Sequence, residues 1–233
     1  MNGTVVFASH LKPAAFSGWL ESLMDRFRHA DRAVPFRPAR FLSQIETQAE
    51  LNLGASHIFY QQLCEREPDW RTLIERLDQC HERGEEMHWA IAQSLRHTYI
   101  TPLDSEDLLG LSLRLVRLIG GVGQSARLVA GSGLPHGPFA EPQKHLSACC
   151  ESLAEITVAL ENQQPSHQPL IELWRRHRVA RRALRERSTS LLQTPGDPVT
   201  VARSLAIHRS MSAQASQIRR LNLFVRAVTL KNG

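Results

Sequence analysis

The sequence predicts an all-α protein, a six-helix antiparallel up-and-down bundle. Apolar residues recur three and four positions apart along most of the chain, which is the helical period, and strict alternation of apolar and polar residues never persists. Residues that helix interiors resist separate six such stretches. Connections of about 2 to 8 residues between long helices favour antiparallel neighbours.

The first two helices each carry one apolar stripe, and Pro68 separates them. The first stripe consists of Leu42, Ile45, Ala49, Leu53, Phe59 and Leu63. The second consists of Leu73, Leu77, Cys80, Gly84, Met87 and Ile91.

The third helix follows an explicit break in the chain. Thr101 is expected to cap it, Pro102 to occupy its first position, and Asp104 to complete the capping motif. Glu106 and Asp107 then lie where the helix dipole favours negative charge. The stripe of this helix is Leu108, Leu111, Leu115, Leu118 and Val122.

The last three helices are divided by residues 131–138, 165–169 and 194–198, which are rich in proline and glycine. Asp197 suits the N-cap of the sixth helix and Pro198 its first position. The fourth stripe is Leu146, Cys149, Leu153, Ile156 and Leu160. The fifth is Leu173, His177, Ala180 and Leu184, and the sixth is Ile207, Met211, Ile218, Leu221, Val225 and Val228.

The bundle domain is expected to span residues 40–233, preceded by an N-terminal extension, residues 1–39. Phe16, Leu20, Leu23 and Phe27 predict a short amphipathic helix within that extension. The 233 residues are 42% hydrophobic, enough for a sizeable core.

Charge and cysteine content narrow the class of protein only slightly. The formal charge of +5 permits an acidic partner without requiring one. No apolar run resembles a signal peptide or a membrane span, so we expect a cytoplasmic protein. The four cysteines lack paired metal-ligand spacing and are expected to be reduced, mostly buried thiols: Cys64, Cys80, Cys149 and Cys150.

Three separate stretches contain recognisable motifs. The string HTYITPLDSEDLLGL, residues 97–111, resembles the TFITP element followed by D-x-E-D-I of the PhoU-like Pit accessory proteins. Phe41-Leu42 with residues 48–50 resembles its first helix, and residues 228–232 its closing V-x-L-K-N. The resemblance covers about residues 40–232 and implies two three-helix PhoU-like repeats.

The resemblance also implies metal-binding acidic motifs, which this sequence has largely lost. Such motifs place two carboxylates one turn apart, as hard ligands for divalent or ferric ions. The corresponding positions are His81 and Glu85 in the second helix, Val116, Arg117 and Gly120 in the third, Leu173 and His177 in the fifth, and Ser212 and Ser216 in the sixth, followed by Arg219 and Arg220. A multinuclear cluster is therefore not expected.

A residual single-ion site is the alternative. His81, Glu85 and His177 offer imidazole and carboxylate ligands that suit zinc or iron. However, His81 and His177 belong to different repeats, and a histidine near a helix seam is usually a hydrogen-bonded packing residue. We expect no cofactor.

A second candidate site is WRRHRVARRALRERS, residues 174–188, which contains seven arginines. Helical projection places Arg175, Arg178, Arg182 and Arg185 opposite the core stripe. These four side chains could contact phosphorylated ligands, anionic lipid or nucleic acid, because guanidinium groups bind phosphate in a bidentate manner. The alternative is a solvated basic face without a ligand.

No enzymatic motif is recognisable. The glycines of Gly120-Gly121-x-Gly123 have no preceding strand, so a tight helix contact is a better interpretation than a phosphate loop. No nucleophile elbow or zincin spacing is present. We therefore expect a non-enzymatic protein.

The resemblance implies a regulatory or accessory protein of inorganic phosphate transport, acting from the cytoplasm on a Pit-type permease. Such a protein could lie peripherally at the inner face of the plasma membrane, with its basic fifth helix near anionic lipid or acidic permease loops. Oligomeric state is left open. The alternative is a basic helical nucleic-acid-binding protein, suggested by the pI of about 9.4 and the arginine run. A metal-dependent phosphatase-like activity is a third possibility.

Overall fold

The computed structural model describes residues 40–98, 101–162, 167–193 and 196–232. The N-terminal extension and its expected amphipathic helix lie outside these residues. Within the described ranges the protein is all-α, without strands. Its six α-helices are α1 Arg40–Cys64, α2 Trp70–Leu95, α3 Ser105–Ser132, α4 Ala140–Glu161, α5 His167–Gln193 and α6 Pro198–Asn232. A 3-10 turn, Gly137–Phe139, leads into α4.

The apolar stripes predicted from the sequence form the core. Every residue of the six stripes is buried except Leu160, near the end of α4, which is half-buried. The helical period found these positions because residues three and four apart lie on one face of a helix.

The predicted N-cap of α6 is confirmed, but that of α3 is wrong. Asp197 accepts a hydrogen bond from the Thr200 backbone N–H at 2.9 Å, and α6 begins at Pro198. In contrast, α3 begins at Ser105, with Asp104 rather than Thr101 at the N-cap position. The Asp104 carboxylate makes no capping bond and pairs instead with Lys231, in the last turn of α6.

Two further helix ends have clear local causes. Helix α3 ends at Gly133, whose φ of 67° lies in the left-handed region that favours glycine. Helix α5 begins at His167, so Pro169 lies in its first turn instead of the preceding loop. Proline is tolerated there because the first-turn N–H groups have no partner within the helix.

The helices pack in a defined order. Helix α1 contacts α2, α3 and α4, and α2 also packs along α3. Helix α5 packs against both α4 and α6, and α6 in turn contacts α3. The α1–α4 and α3–α6 contacts therefore join helices α1–α3 to helices α4–α6.

Buried amide side chains link neighbouring helices inside this core. Gln48 of α1 donates to the backbone carbonyl of Gly84 in α2 at 2.9 Å. Asn52, one turn further, donates to the carbonyl of Leu115 in α3 at 3.1 Å. Gln143 of α4 donates to the hydroxyl of Ser56 in α1 at 2.9 Å. Each bond satisfies a polar group that burial would otherwise penalise.

Glycines allow α2, α3 and α6 to approach closely. A Cβ at residue 84 would lie 3.1 Å from Ile119 Cδ1, and one at residue 120 would lie 3.1 Å from His81 Nε2. A Cβ at residue 121 would lie 3.1 Å from Gln217 Oε1 on α6. The glycine-rich stretch of α3 is thus in tight contact with two helices, as the sequence indicated.

A carboxyl pair lies where α1 meets α4. Glu46 and Glu161 are joined by a side-chain hydrogen bond. Burial, then this bond, then the charges of Glu161 and Glu50 raise the pKa of Glu46 to about 8. Glu46 is therefore largely protonated in the folded protein at neutral pH.

Among the helices of the described ranges, none is both long enough and apolar enough to cross a bilayer.

Candidate functional site

The candidate metal residues of α2 lie at its contact with α3. His81 Nε2 is 3.9 Å from Glu85 Oε1, and both side chains are substantially exposed. Gly120 lies opposite the His81 ring, and Val116 packs near Gly84. The α3 residues facing this pair therefore supply no side-chain ligand.

His177 of α5 has a structural partner on α6. Its Nε2–H donates to the backbone carbonyl of Ala215 at 3.0 Å. Burial lowers the pKa of His177, and the charges of Arg181 and Arg219 lower it further. His177 is thus a neutral, hydrogen-bonded packing residue, as the alternative interpretation of the sequence held.

These residues do not form a single metal site. Across residues 40–98, 101–162, 167–193 and 196–232, no three His, Cys, Asp or Glu side chains are grouped so that they could hold a metal ion. His81, Glu85 and His177 are accordingly not brought together in this part of the chain. Val116, Gly120, Ser212 and Ser216 carry no carboxylate, so their side chains do not fit the ligand set of a multinuclear cluster.

The arginines of α5 instead line a groove with α6. The groove has a volume of about 870 Å³. Eight of its lining residues are arginines, six from α5 and two, Arg219 and Arg226, from α6. The single carboxylate in the lining is Glu172. The arginine run is therefore one wall of a concave basic surface.

The carboxylates nearest the groove neutralise only part of this charge. Arg176 contacts Glu151 at 2.6 Å and Glu172 at 3.0 Å, and Arg175 shares Glu172 at 3.2 Å. Arg176 also donates to a backbone carbonyl on α4, so it holds α5 against that helix.

The remaining arginines are more available to a ligand. Arg182 pairs with Glu186 at 2.7 Å on a highly exposed surface, where such a pair is weak. Among the residues that the structure describes, no carboxylate contacts Arg181, Arg185, Arg219 or Arg226. All four predicted anion-binding arginines are exposed: Arg175, Arg178, Arg182 and Arg185.

The two walls of the groove are held together by side chains that bond backbone carbonyls. Besides His177, His208 of α6 bonds the carbonyl of Leu184 on α5, and Asn222 of α6 bonds that of Leu170 at 3.4 Å. A carbonyl oxygen only accepts, so each histidine carries its proton on Nε2. These contacts fix the separation of the α5 and α6 arginines.

Apolar side chains also line the groove. Trp174, Val179 and Leu223 are 50%, 48% and 54% exposed, respectively. The Arg178 guanidinium lies 4.9 Å from the centre of the Trp174 ring, in a cation–π arrangement. The groove is thus amphipathic as well as basic.

The stretches that carry the family resemblance meet at a different place. Lys231, in the last turn of α6, pairs with Asp104 and lies 3.3 Å from Asp107 at the start of α3. These contacts raise the pKa of Lys231, the hydrogen bond to Asp104 being the main cause. The closing stretch, residues 228–232, therefore contacts the stretch at the start of α3, residues 101–107.

Sequence patterns do not indicate the α6 wall of the groove. Arg219 follows from the family resemblance only as a residue in the place of an acid, and Arg226 belongs to no motif. Their spacing of seven residues places them on one face of α6, which was the available signal. The facing of that surface toward α5 depends on packing, which the spacing does not reveal.

No protein-family model matches this chain, and no curated protein sequence matches it significantly.

Proposed function

We propose that this protein is a non-enzymatic accessory or regulatory protein of inorganic phosphate transport that docks from the cytoplasm on a Pit-type permease. In this proposal the six helices form an antiparallel up-and-down bundle of two three-helix PhoU-like repeats. The contact between Lys231 and the two aspartates, Asp104 and Asp107, is the observation that carries it.

This contact supports the resemblance because two of the stretches that carry it, at the start of α3 and at the end of α6, contact each other in the structure. The two stretches are more than 100 residues apart, with Lys231 separated from Asp107 by 124 positions. Two stretches chosen by chance would have no reason to meet. The contact is expected if both stretches serve to hold the start of α3 against the end of α6.

The helix contacts support the two-repeat arrangement. Helices α1, α2 and α3 contact one another, and so do α4, α5 and α6. The first helix of one set contacts the first of the other, and the third contacts the third, through the α1–α4 and α3–α6 pairs. Two similar units related by an approximate twofold axis would produce this pattern.

Docking is proposed to use helix faces, and regulation is proposed not to require the family's metals. The exposed arginines of α5, including Arg178 and Arg185, offer charge complementarity to acidic cytoplasmic loops. Helix-face recognition needs no catalytic group.

The test combines transport with physical association. Deletion of the gene should change the rate of labelled phosphate uptake, and the wild-type gene should restore it. The tagged full-length protein should co-purify a Pit-type permease from detergent-solubilised membranes. Uptake unchanged by deletion, together with no permease in the purified material, would contradict the proposal.

A charge-reversal pair sharpens this test. The R178E/R185E variant should co-purify less permease than the wild type, because repulsion replaces attraction at the docking face. The R71E/R209E variant has the same change in net charge at exposed positions outside the groove and should co-purify normally. Equal losses in both variants would count against docking through α5.

Nucleic-acid binding is the second candidate, favoured by the eight arginines of the groove. It requires binding to random-sequence DNA with a steep salt dependence, abolished by R178E/R182E. Among the described residues that line the groove, Trp174 is the only tryptophan, tyrosine or phenylalanine, and Arg178 already lies over its ring. Single-stranded nucleic acids usually need several aromatic platforms, so this candidate is less well supported.

A further inference from the structure

The groove between α5 and α6 has two properties that a ligand must satisfy together. One is an excess of positive charge from both walls, with Arg181 of α5 and Arg219 of α6 both close enough to His177 for their charges to lower its pKa. The other is the half-exposed apolar surface of Trp174 and Leu223. A ligand that fits this groove therefore carries both anionic and apolar parts.

The charge excess indicates oxyanions. Like charges held close to one another repel, and no carboxylate in the described ranges contacts Arg181, Arg219 or Arg226. Clefts lined by one sign of charge concentrate ions of the opposite sign. Guanidinium groups bind phosphate oxygens in a planar, two-pronged geometry.

The apolar side chains of the groove favour a phospholipid over a soluble phosphate as the ligand. Inorganic phosphate or a short oligophosphate gains nothing from Trp174, Val179 or Leu223. An anionic phospholipid presents a phosphate next to its glycerol and acyl chains, so it would cover these side chains while pairing with the arginines. Basic residues beside exposed tryptophan and leucine are typical of proteins that lie on membrane surfaces.

We propose that the α5–α6 groove binds the phosphate headgroups of anionic phospholipids at a membrane surface. Arg181, Arg219 and Arg226 contact the phosphates, and Trp174 and Leu223 enter the boundary between headgroups and acyl chains. Leu230, 76% exposed and one turn beyond Arg226 on α6, extends the apolar part of this surface. The proposal requires no permease, since lipid alone is the ligand.

The test uses the full-length protein and vesicles without any other protein. Co-sedimentation with phosphatidylcholine vesicles that contain phosphatidylglycerol should be strong, and with phosphatidylcholine alone weak. The R219E/R226E variant should bind the anionic vesicles at least about thirtyfold more weakly, since each basic residue near such a surface contributes about fivefold. Circular dichroism should show the same helix content as the wild type.

The matched control is R209E/R220E, which alters the same number of charges at exposed α6 positions outside the groove. It should weaken vesicle binding by less than about threefold, because neither arginine lines the groove and exposed charges are partly screened at physiological salt. Equal losses in the two variants would show diffuse electrostatic attraction and overturn the proposal. Absence of binding to anionic vesicles would overturn it as well.

A second pair of measurements distinguishes lipid from soluble polyanions. L223N and W174A should each weaken vesicle binding while leaving all groove arginines in place. If both variants bind vesicles normally, and oligophosphate or single-stranded DNA displaces the protein completely, the groove recognises a soluble polyanion and the proposal is wrong. Co-purification with a permease in detergent is measured separately, so either proposal can fail alone.

Discussion

Individual cysteines differ in environment although all four are free. Cys64 is exposed at the end of α1, whereas Cys80, Cys149 and Cys150 are buried. Burial raises the pKa of Cys80 to about 11 and that of Cys150 to about 12. The expectation of mostly buried thiols is confirmed, and reactivity should be confined to one of them.

Alkylation should distinguish Cys64 from the three buried thiols. In the folded protein at about pH 8, iodoacetamide should modify Cys64 alone, because only the thiolate reacts and the other thiols are both protonated and shielded. Mass spectrometry of the intact protein should show one adduct, and the C64S variant none. In guanidinium chloride all four thiols should react. Rapid labelling of Cys149 or Cys150 without denaturant would contradict this prediction.

At the scale of the helices, glycine positions determine how closely α2 and α3 pack. We predict that G84V lowers the free energy of unfolding by about 2 kcal/mol, because added methyl groups would overlap Ile119 and Val116 across the contact. Urea unfolding monitored by circular dichroism measures the change. The backbone carbonyl of Gly84 also accepts from Gln48, so displacement of α2 would strain that bond.

The matched control is Gly131, in the last turn of α3. Apart from its chain neighbours and the adjacent backbone of α3, no heavy atom of the described residues would lie within 4 Å of a Cβ at residue 131, and the position is exposed. G131V should therefore leave stability unchanged or raise it slightly, since valine has the higher helix propensity. If G84V and G131V have equal effects, α2 and α3 can separate without loss and close packing at Gly84 is unimportant.

The helices were predictable from the sequence because their signal is local. The stripes of α2 and α6 follow from period alone, and Asp197 caps α6 with atoms three residues away. The predicted start of α3 is wrong, and the contact that Asp104 makes there is with Lys231 of α6, a residue too far away in the sequence for a local capping rule to include. The groove shows the same limit, since Arg219 faces α5 only after the helices pack.

In the molecule as a whole, two kinds of titrating group change stability in opposite directions as the pH rises. Glu46 has a pKa of about 8 in the folded state, whereas the ordinary pKa of a glutamate side chain is 4.5. Unfolding between these pH values releases a proton, so rising pH destabilises the fold. Burial lowers the pKa of four histidines below 6.5, so falling pH below that value also destabilises it: His57, His88, His177 and His208.

We therefore predict maximum stability near pH 6.5. Urea midpoints measured from about pH 5 to 9 should fall on both sides of the maximum. E46Q should reduce the fall on the alkaline side, because glutamine cannot lose a proton and can still bond Glu161. Burial also raises the pKa of Glu155, which leaves part of that fall in the variant. Stability that rises steadily from pH 6.5 to 9 in the wild type would contradict the prediction.

The internal amides of α1 have a consequence for how uniquely the chain assembles. Wholly aliphatic seams could slide by one helical turn and still bury similar surface. Here such a slip would carry Gln48 and Asn52 away from their acceptors on α2 and α3 and leave polar groups stranded in a dry interior. The two amides therefore select one alignment of the helices from several that would bury nearly equal apolar surface.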